Sequence, residues 1–295
     1  MDGERINWHQ AFYAALHMEL DEYRDCLEFK DEYRLATDPL RVDALIIKKK
    51  PEAVIRKNIG AIFRRDNVLE FKSPGDYISA DDFSKTMAYC YLYTALNRIP
   101  ITSLTLTLAW SGHPRQVIEH IREVYGWEVR ERERGIYEVS GPGMAFPIQI
   151  IETRKLPEEE NLWLKSLGRG LSAAVLDRVL KRSARWKKEA PAGAYLYAVL
   201  QANVEALREV LAMEELTLEK VLEEFGLTAK WEARGKALGE ALGEARGEAL
   251  GEARGIALGE ARGIALGEAR VLDLLKSGKP PEEILKLYGE AGIGG

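Results

Sequence analysis

Between Trp8 and Trp110 the spacing of apolar residues switches repeatedly between helical and alternating, and that switching confines the chain to a mixed α/β fold. Trp8, Phe12, Leu16, Leu20 and Tyr23 recur at steps of three and four, which predicts an opening helix with one apolar stripe. Two strands are expected next, over residues 26–35 and 41–49, the second carrying the aliphatic run Ala44-Leu45-Ile46-Ile47. Pro51 suits the first turn of a helix over 52–64. A third strand is expected over 67–72, with a turn at Ser73-Pro74-Gly75-Asp76. Ser79 and Asp82 have the spacing of a capping box, which opens a helix running to about Leu96. In 102–110, Leu104, Leu106, Leu108 and Trp110 alternate with threonines, the pattern of a half-buried strand.

Four zones differ in texture along the 295 residues: an α/β region over 1–157, a helical region over 158–230, a low-complexity repeat over 231–270 and a short helical tail over 271–295. No apolar stretch is long enough to cross a bilayer, and the N-terminus lacks the shape of a signal peptide. A soluble, cytoplasmic protein without a membrane partner is expected. Cys26 and Cys90 stand far apart with no CxxC pair, which argues against zinc ribbons and thiol–disulfide chemistry and favours free thiols.

The chemistry-bearing stretch is Asn67-Val68-Leu69-Glu70-Phe71-Lys72. In a strand, alternate side chains share a face. Glu70 and Lys72 then lie together, about 7 Å apart along the strand, while Leu69 and Phe71 enter the core. Phosphodiester hydrolysis needs a hard cation and an activated water, for which carboxylates and an ammonium are suitable. Asp43, on the neighbouring expected strand, offers a second carboxylate. The same residues also fit an ordinary solvated pair on an exposed sheet face.

With Trp8–Leu20 (WHQAFYAALHMEL), 41–49 (RVDALIIKK) and 69–74 (LEFKSP), this layout resembles the PD-(D/E)XK nuclease superfamily, and within it the recombination-promoting nuclease and transposase group. The resemblance covers roughly the first half of the chain. It implies a restriction-endonuclease-like αβββαβ core, here followed by a helical C-terminal region and a glycine-repeat helix. It implies Asp43 and Glu70 as ligands of Mg²⁺ (or Mn²⁺), the Phe71 carbonyl as a third ligand, and Lys72 at the attacking water. Glu19 matches a first-helix carboxylate of many members, and Lys85 would approach the scissile phosphate. DNA is the implied partner. Val42 stands where the family has proline, and an inserted helix separates Asp43 from Glu70.

The net charge of −5 means that a nucleic-acid site requires local positive charge. Residues 41–72 hold nine Lys and Arg against four Asp and Glu, and 165–188 hold eight against one. Either group fits a phosphate grip or a solvated helix face. His9, His17, His113 and His120 have no metal-ligand spacing and read as packing or surface residues.

From Gly235 to Gly267 a glycine recurs every fourth residue. Each costs a helix interior about 1 kcal/mol relative to alanine. Glu240, Glu244, Glu248 and Glu252 repel at i,i+4, and no Glu–Arg pair sits at i,i+3 or i,i+4. A lone helix is therefore disfavoured, whereas a glycine row allows close approach of a second backbone. Residues 235–270 read as a self-association stalk or, failing that, a flexible spacer. Two functions follow: a Mg²⁺-dependent DNA nuclease, or a catalytically silent nuclease-fold protein that oligomerises through the repeat.

Overall fold

The computed structural model describes residues 6–30, 45–186, 190–213, 218–280 and 283–284. The chain divides into two compact units, Met1–Ala229 and Lys230–Gly295. The first is mixed α/β. Helix α1 (Trp8–Glu19) begins at Asn7, whose side chain accepts the Gln10 N–H. Strands β1 (Leu27–Lys30), β2 (Leu45–Lys49) and β3 (Asp66–Phe71) form an antiparallel meander. Helix α2 (Ala80–Asn97) then crosses over to β4 (Leu104–Trp110), which lies parallel to β3. Helix α3 (Arg115–Tyr125) leads into the hairpin β5 (Glu128–Glu133) and β6 (Ile136–Ser140), and β7 (Ile148–Glu152) returns parallel to β4. The sheet order is β1-β2-β3-β4-β7-β6-β5.

Both faces of the sheet centre are buried. Val68, Leu104, Leu106, Leu108, Ile148 and Ile150 meet Phe83, Met87 and Cys90 of α2 and Val117 and Ile121 of α3. On the other face Phe71 stacks on Phe12 of α1, with ring centroids 4.4 Å apart. The threonine side of β4 is therefore not solvated, as its alternation suggested: Thr105 and Thr107 are fully buried. Their hydroxyls are satisfied in register. Thr105 pairs with Asn67 and donates to its Oδ1 at 2.6 Å, and Thr107 pairs with Gln149 and accepts from its Nε2 at 3.0 Å. Sliding a strand by one residue would strand these groups in the core, so the polar row fixes the register.

The helix expected over 52–64 does not form. One 3-10 turn, Asn58–Gly60, is the regular element there. Ile55, Ile59 and Phe63 are buried, and tertiary partners take the backbone groups: Tyr23 Oη accepts the Arg56 N–H, and Lys49 Nζ donates to the Ala53 carbonyl. Burial of β-branched residues in an irregular path outweighs a local helix preference.

Helices α4 (Glu158–Lys165), α5 (Ala173–Ser183), α6 (Ala190–Ala202), α7 (Val204–Met213) and α8 (Leu218–Glu224) complete the first unit. Because α4 and α6 pack against α1, the change of texture at 157/158 is not a boundary between compact units. In the second unit the repeat is one continuous helix, α9 (Thr228–Lys276), 49 residues long and so about 74 Å at 1.5 Å per residue. A Cβ added at Gly251, Gly255, Gly259, Gly263 or Gly267 would meet nothing within 4 Å. Ile256, Leu258, Ile264 and Leu266 are 58–70% exposed. Among the described residues no helix is long and apolar enough to cross a membrane.

Candidate functional site

Glu70 and Lys72 stand at the carboxyl end of β3, on the face covered by α2. Glu70 is buried and lies beside Leu108 of β4. The Lys72 N–H donates to the Ala109 carbonyl at 3.0 Å, so the ladder continues one residue past β3. Leu69 and Phe71 point to the opposite layer, as the alternation requires. The Lys72 ammonium is 2.7 Å from Asp82 Oδ1, at the start of α2. Asp82 closes the expected capping box: its Oδ2 accepts the Ser79 N–H at 2.9 Å, and Ser79 Oγ accepts the Asp82 N–H at 3.1 Å. Burial pushes the Asp82 carboxyl up, but the Lys72 and Ser79 hydrogen bonds outweigh it and hold the group below its ordinary value. The spacing identified Asp82 as a cap; its second role, anchoring Lys72, depends on a strand–helix contact that the sequence does not display.

Asp43 lies outside the described residues. Leu45, the first described residue of β2, pairs with Leu69. Lys85 is exposed, one turn beyond Asp82, with its ammonium 5.4 Å from the Tyr89 ring centre. Among the described residues no three His, Cys, Asp or Glu side chains converge to hold a metal.

Glu19 belongs to the other face and is taken up by protein donors, which corrects its expected place beside Glu70. Its Oε1 accepts the N–H groups of Trp163 and Leu164 at 2.8 and 3.1 Å, and Lys57 Nζ is 2.9 Å from Oε2. Asn161 has non-helical φ −133°, ψ 45° and breaks the α4 ladder. Glu19 therefore caps the second half of α4, supplying acceptors that the kink removed. Burial holds its carboxyl above the ordinary range, and Lys57 with the two N–H groups only partly offsets that.

The positive charge of 41–72 does not surround Glu70. Lys48, Lys49, Lys50 and Arg65 line a cavity of about 430 Å³ with Tyr93 and Asp66, at the opposite end of β3. Lys48 pairs with Asp66, four residues before Glu70 and about 13 Å away along the strand. Several of these cations serve the scaffold: Arg65 binds Asp66, Arg64 donates to the Thr102 carbonyl and Lys57 binds Glu19. In the second basic group, Lys165 donates to the carbonyls of Arg154 and Leu156, and Lys181 binds Asp177.

A second polar cluster lies at the same edge and on the same face as Glu70. Glu152, at the end of β7, accepts the Tyr137 hydroxyl at 2.9 Å and lies 2.9 Å from His113 Nδ1 through the same Oε2. Lys155 Nζ reaches Tyr137 Oη at 3.0 Å and Glu131 at 2.8 Å. Gly135, at φ +80°, lets the β5–β6 turn rest on the Glu152 backbone; a Cβ there would sit 2.9 Å from the Glu152 carbonyl oxygen. His113 is thus not a plain surface residue. No motif marks this cluster, because its members come from four elements and meet only through sheet register. No family model, curated protein or solved structure matches the chain.

Proposed function

We propose that this chain is a metal-dependent phosphodiester hydrolase acting on DNA, built on a restriction-endonuclease-like αβββαβ core of the PD-(D/E)XK kind and serving recombination or transposition. The observation that carries the proposal is the position of Glu70 and Lys72. They are neighbours on one face at the carboxyl end of the third strand in an α1-β1-β2-β3-α2-β4 series, beside a parallel β4. Open sheets bind ligands beyond the carboxyl ends of their parallel strands. Asp82 holds the Lys72 ammonium at that edge, where it orients the attacking water or balances charge on phosphorus.

The donors implied for the metal are the Glu70 carboxylate, the Phe71 carbonyl and the Asp43 carboxylate, hard oxygens of the kind that Mg²⁺ or Mn²⁺ takes. Bound there, the cation would polarise a phosphoryl oxygen and lower the pKa of a water. The centre needs the Asp43 carboxylate on the Glu70 face. Leu45, two residues on, pairs with Leu69 and faces the other layer. Residues two apart on a regular strand share a face, so the proposal requires the alternation to break between Asp43 and Leu45. A crystal structure with Asp43 directed away from Glu70 would refute it. In solution, plasmid and single-stranded DNA should be cut with Mg²⁺ or Mn²⁺ and left intact with chelator; absence of cleavage under every divalent ion would also sink the proposal.

One observation favours the silent, oligomerising alternative. α9 leaves Ile256, Leu258, Ile264 and Leu266 exposed along a helix whose described glycines touch nothing. A second chain packed against the glycine row would offset the helix cost. Sedimentation and circular dichroism across a concentration series should then show helicity rising with association, and replacing alternate glycines by leucine should weaken the oligomer. A monomer of constant helicity would exclude the stalk.

A further inference from the structure

Successive strands align their residues into rows across one face of the sheet. Glu70 pairs with Leu108, Leu108 with Ile150, Ile150 with Tyr137, and Tyr137 with Glu131. The next row toward the carboxyl edge contains Lys72, Trp110 and Glu152. Two strand spacings separate Lys72 from Glu152, about 10 Å. Extended nucleic acid lying across the strand ends would therefore meet both polar groups.

From this arrangement we infer that His113, oriented by Glu152 and Tyr137, is the proton donor to the leaving oxygen of the phosphodiester cut at Glu70 and Lys72. The inference rests on the nuclease proposal above. His113 Nδ1 is committed to Glu152, which fixes the ring and leaves Nε2 to exchange a proton with a ligand. The His113 side chain is 54% exposed, so that nitrogen can be reached by substrate. Tyr137 donates to the same Glu152 oxygen, and Lys155 braces Tyr137 against Glu131, so the carboxylate is held from two strands. In the step, water oxygen bonds to phosphorus and the bond from phosphorus to the bridging oxygen breaks. The proton on His113 Nε2 passes to that oxygen, and solvent reprotonates the imidazole. Glu152 and Tyr137 are positioning residues.

The test uses the full chain, Mg²⁺ and oligonucleotides with one scissile linkage, either all-oxygen or with sulfur at the 3′ or 5′ bridging position. A thiolate leaves without a proton. His113→Asn should lower kcat on the oxygen substrate about 100-fold or more, the usual contribution of a general acid. It should cut the sulfur substrate matching the broken bond within about fivefold of wild type, with KM little changed on either. Glu152→Gln should show a smaller loss with the same sulfur rescue. Equal loss on oxygen and sulfur, or no loss at all, would overturn the role of His113 while a cutting wild type upholds the nuclease. A wild type that cuts neither substrate overturns both.

Discussion

The two faces of the seven-stranded sheet treat buried polarity in opposite ways. Toward α1, polar side chains sit deep: Asn67, Thr105, Thr107 and Gln149 form a fully buried row, and Glu19 stands nearby with its oxygens taken by Lys57 and two N–H groups. Toward α2 and α3, the middle is apolar and the charged groups collect at the carboxyl edge: Glu70, Lys72, Glu152 and His113. A saturated interior carboxylate fixes how layers dock; a carboxylate at a strand end can still exchange its partner for a ligand.

The largest expected contrast comes from deleting one carboxylate on each face. Glu70→Ala should abolish Mg²⁺-dependent cleavage with Tm nearly unchanged. Glu19→Ala leaves Lys57 and two N–H groups without their acceptor and should cost about 3–5 kcal/mol in urea unfolding. If Glu19→Ala proved neutral in stability but inactive, the division between the faces would fail. Lys72→Ala should remove turnover and keep metal binding by titration.

A smaller effect probes the polar row. Thr107→Val keeps the shape and removes the oxygen that Gln149 uses, for an expected loss of about 1–2 kcal/mol with cleavage intact. A matching loss of activity would tie the row to the site.

The smallest effects come from pH, and the faces should differ in sign. Asp82 is held below its ordinary 3.8, so its stabilisation is full above that value and fades as pH falls through the lowered one. Glu19 is held above its ordinary 4.5, so ionising it costs stability at neutral pH, and that cost is relieved as pH falls toward 4.5. Unfolding by urea from pH 7 to pH 3 should show Glu19→Gln losing the gain and Asp82→Asn losing the later decline. An unchanged slope in Glu19→Gln would count against the buried acid.

Much of this was legible in the residues. The α1 stripe, the β3 alternation and the Ser79–Asp82 box are local, and each depends on spacing within one element. The exposed helix α9 followed only in part: glycine propensity argued against a lone helix, and whether a second chain offsets that cost is a property of association.

Other features were illegible for one physical reason: they depend on which surfaces meet. The segment at 52–64 had the start of a helix but spends its apolar residues on neighbouring layers. The β4 threonines looked solvent-facing because alternation cannot say whether a second layer covers them. Glu19 resembled a ligand until α4, bent at Asn161, supplied its partners from across the chain. His113 and Glu152, 39 residues apart, meet only because β7 lies parallel beside β4. Local spacing determined the elements and put Glu70 beside Lys72. Tertiary packing alone decided which polar groups are consumed by the scaffold and which are left at the edge, because the cost of burying a charge depends on what surrounds it.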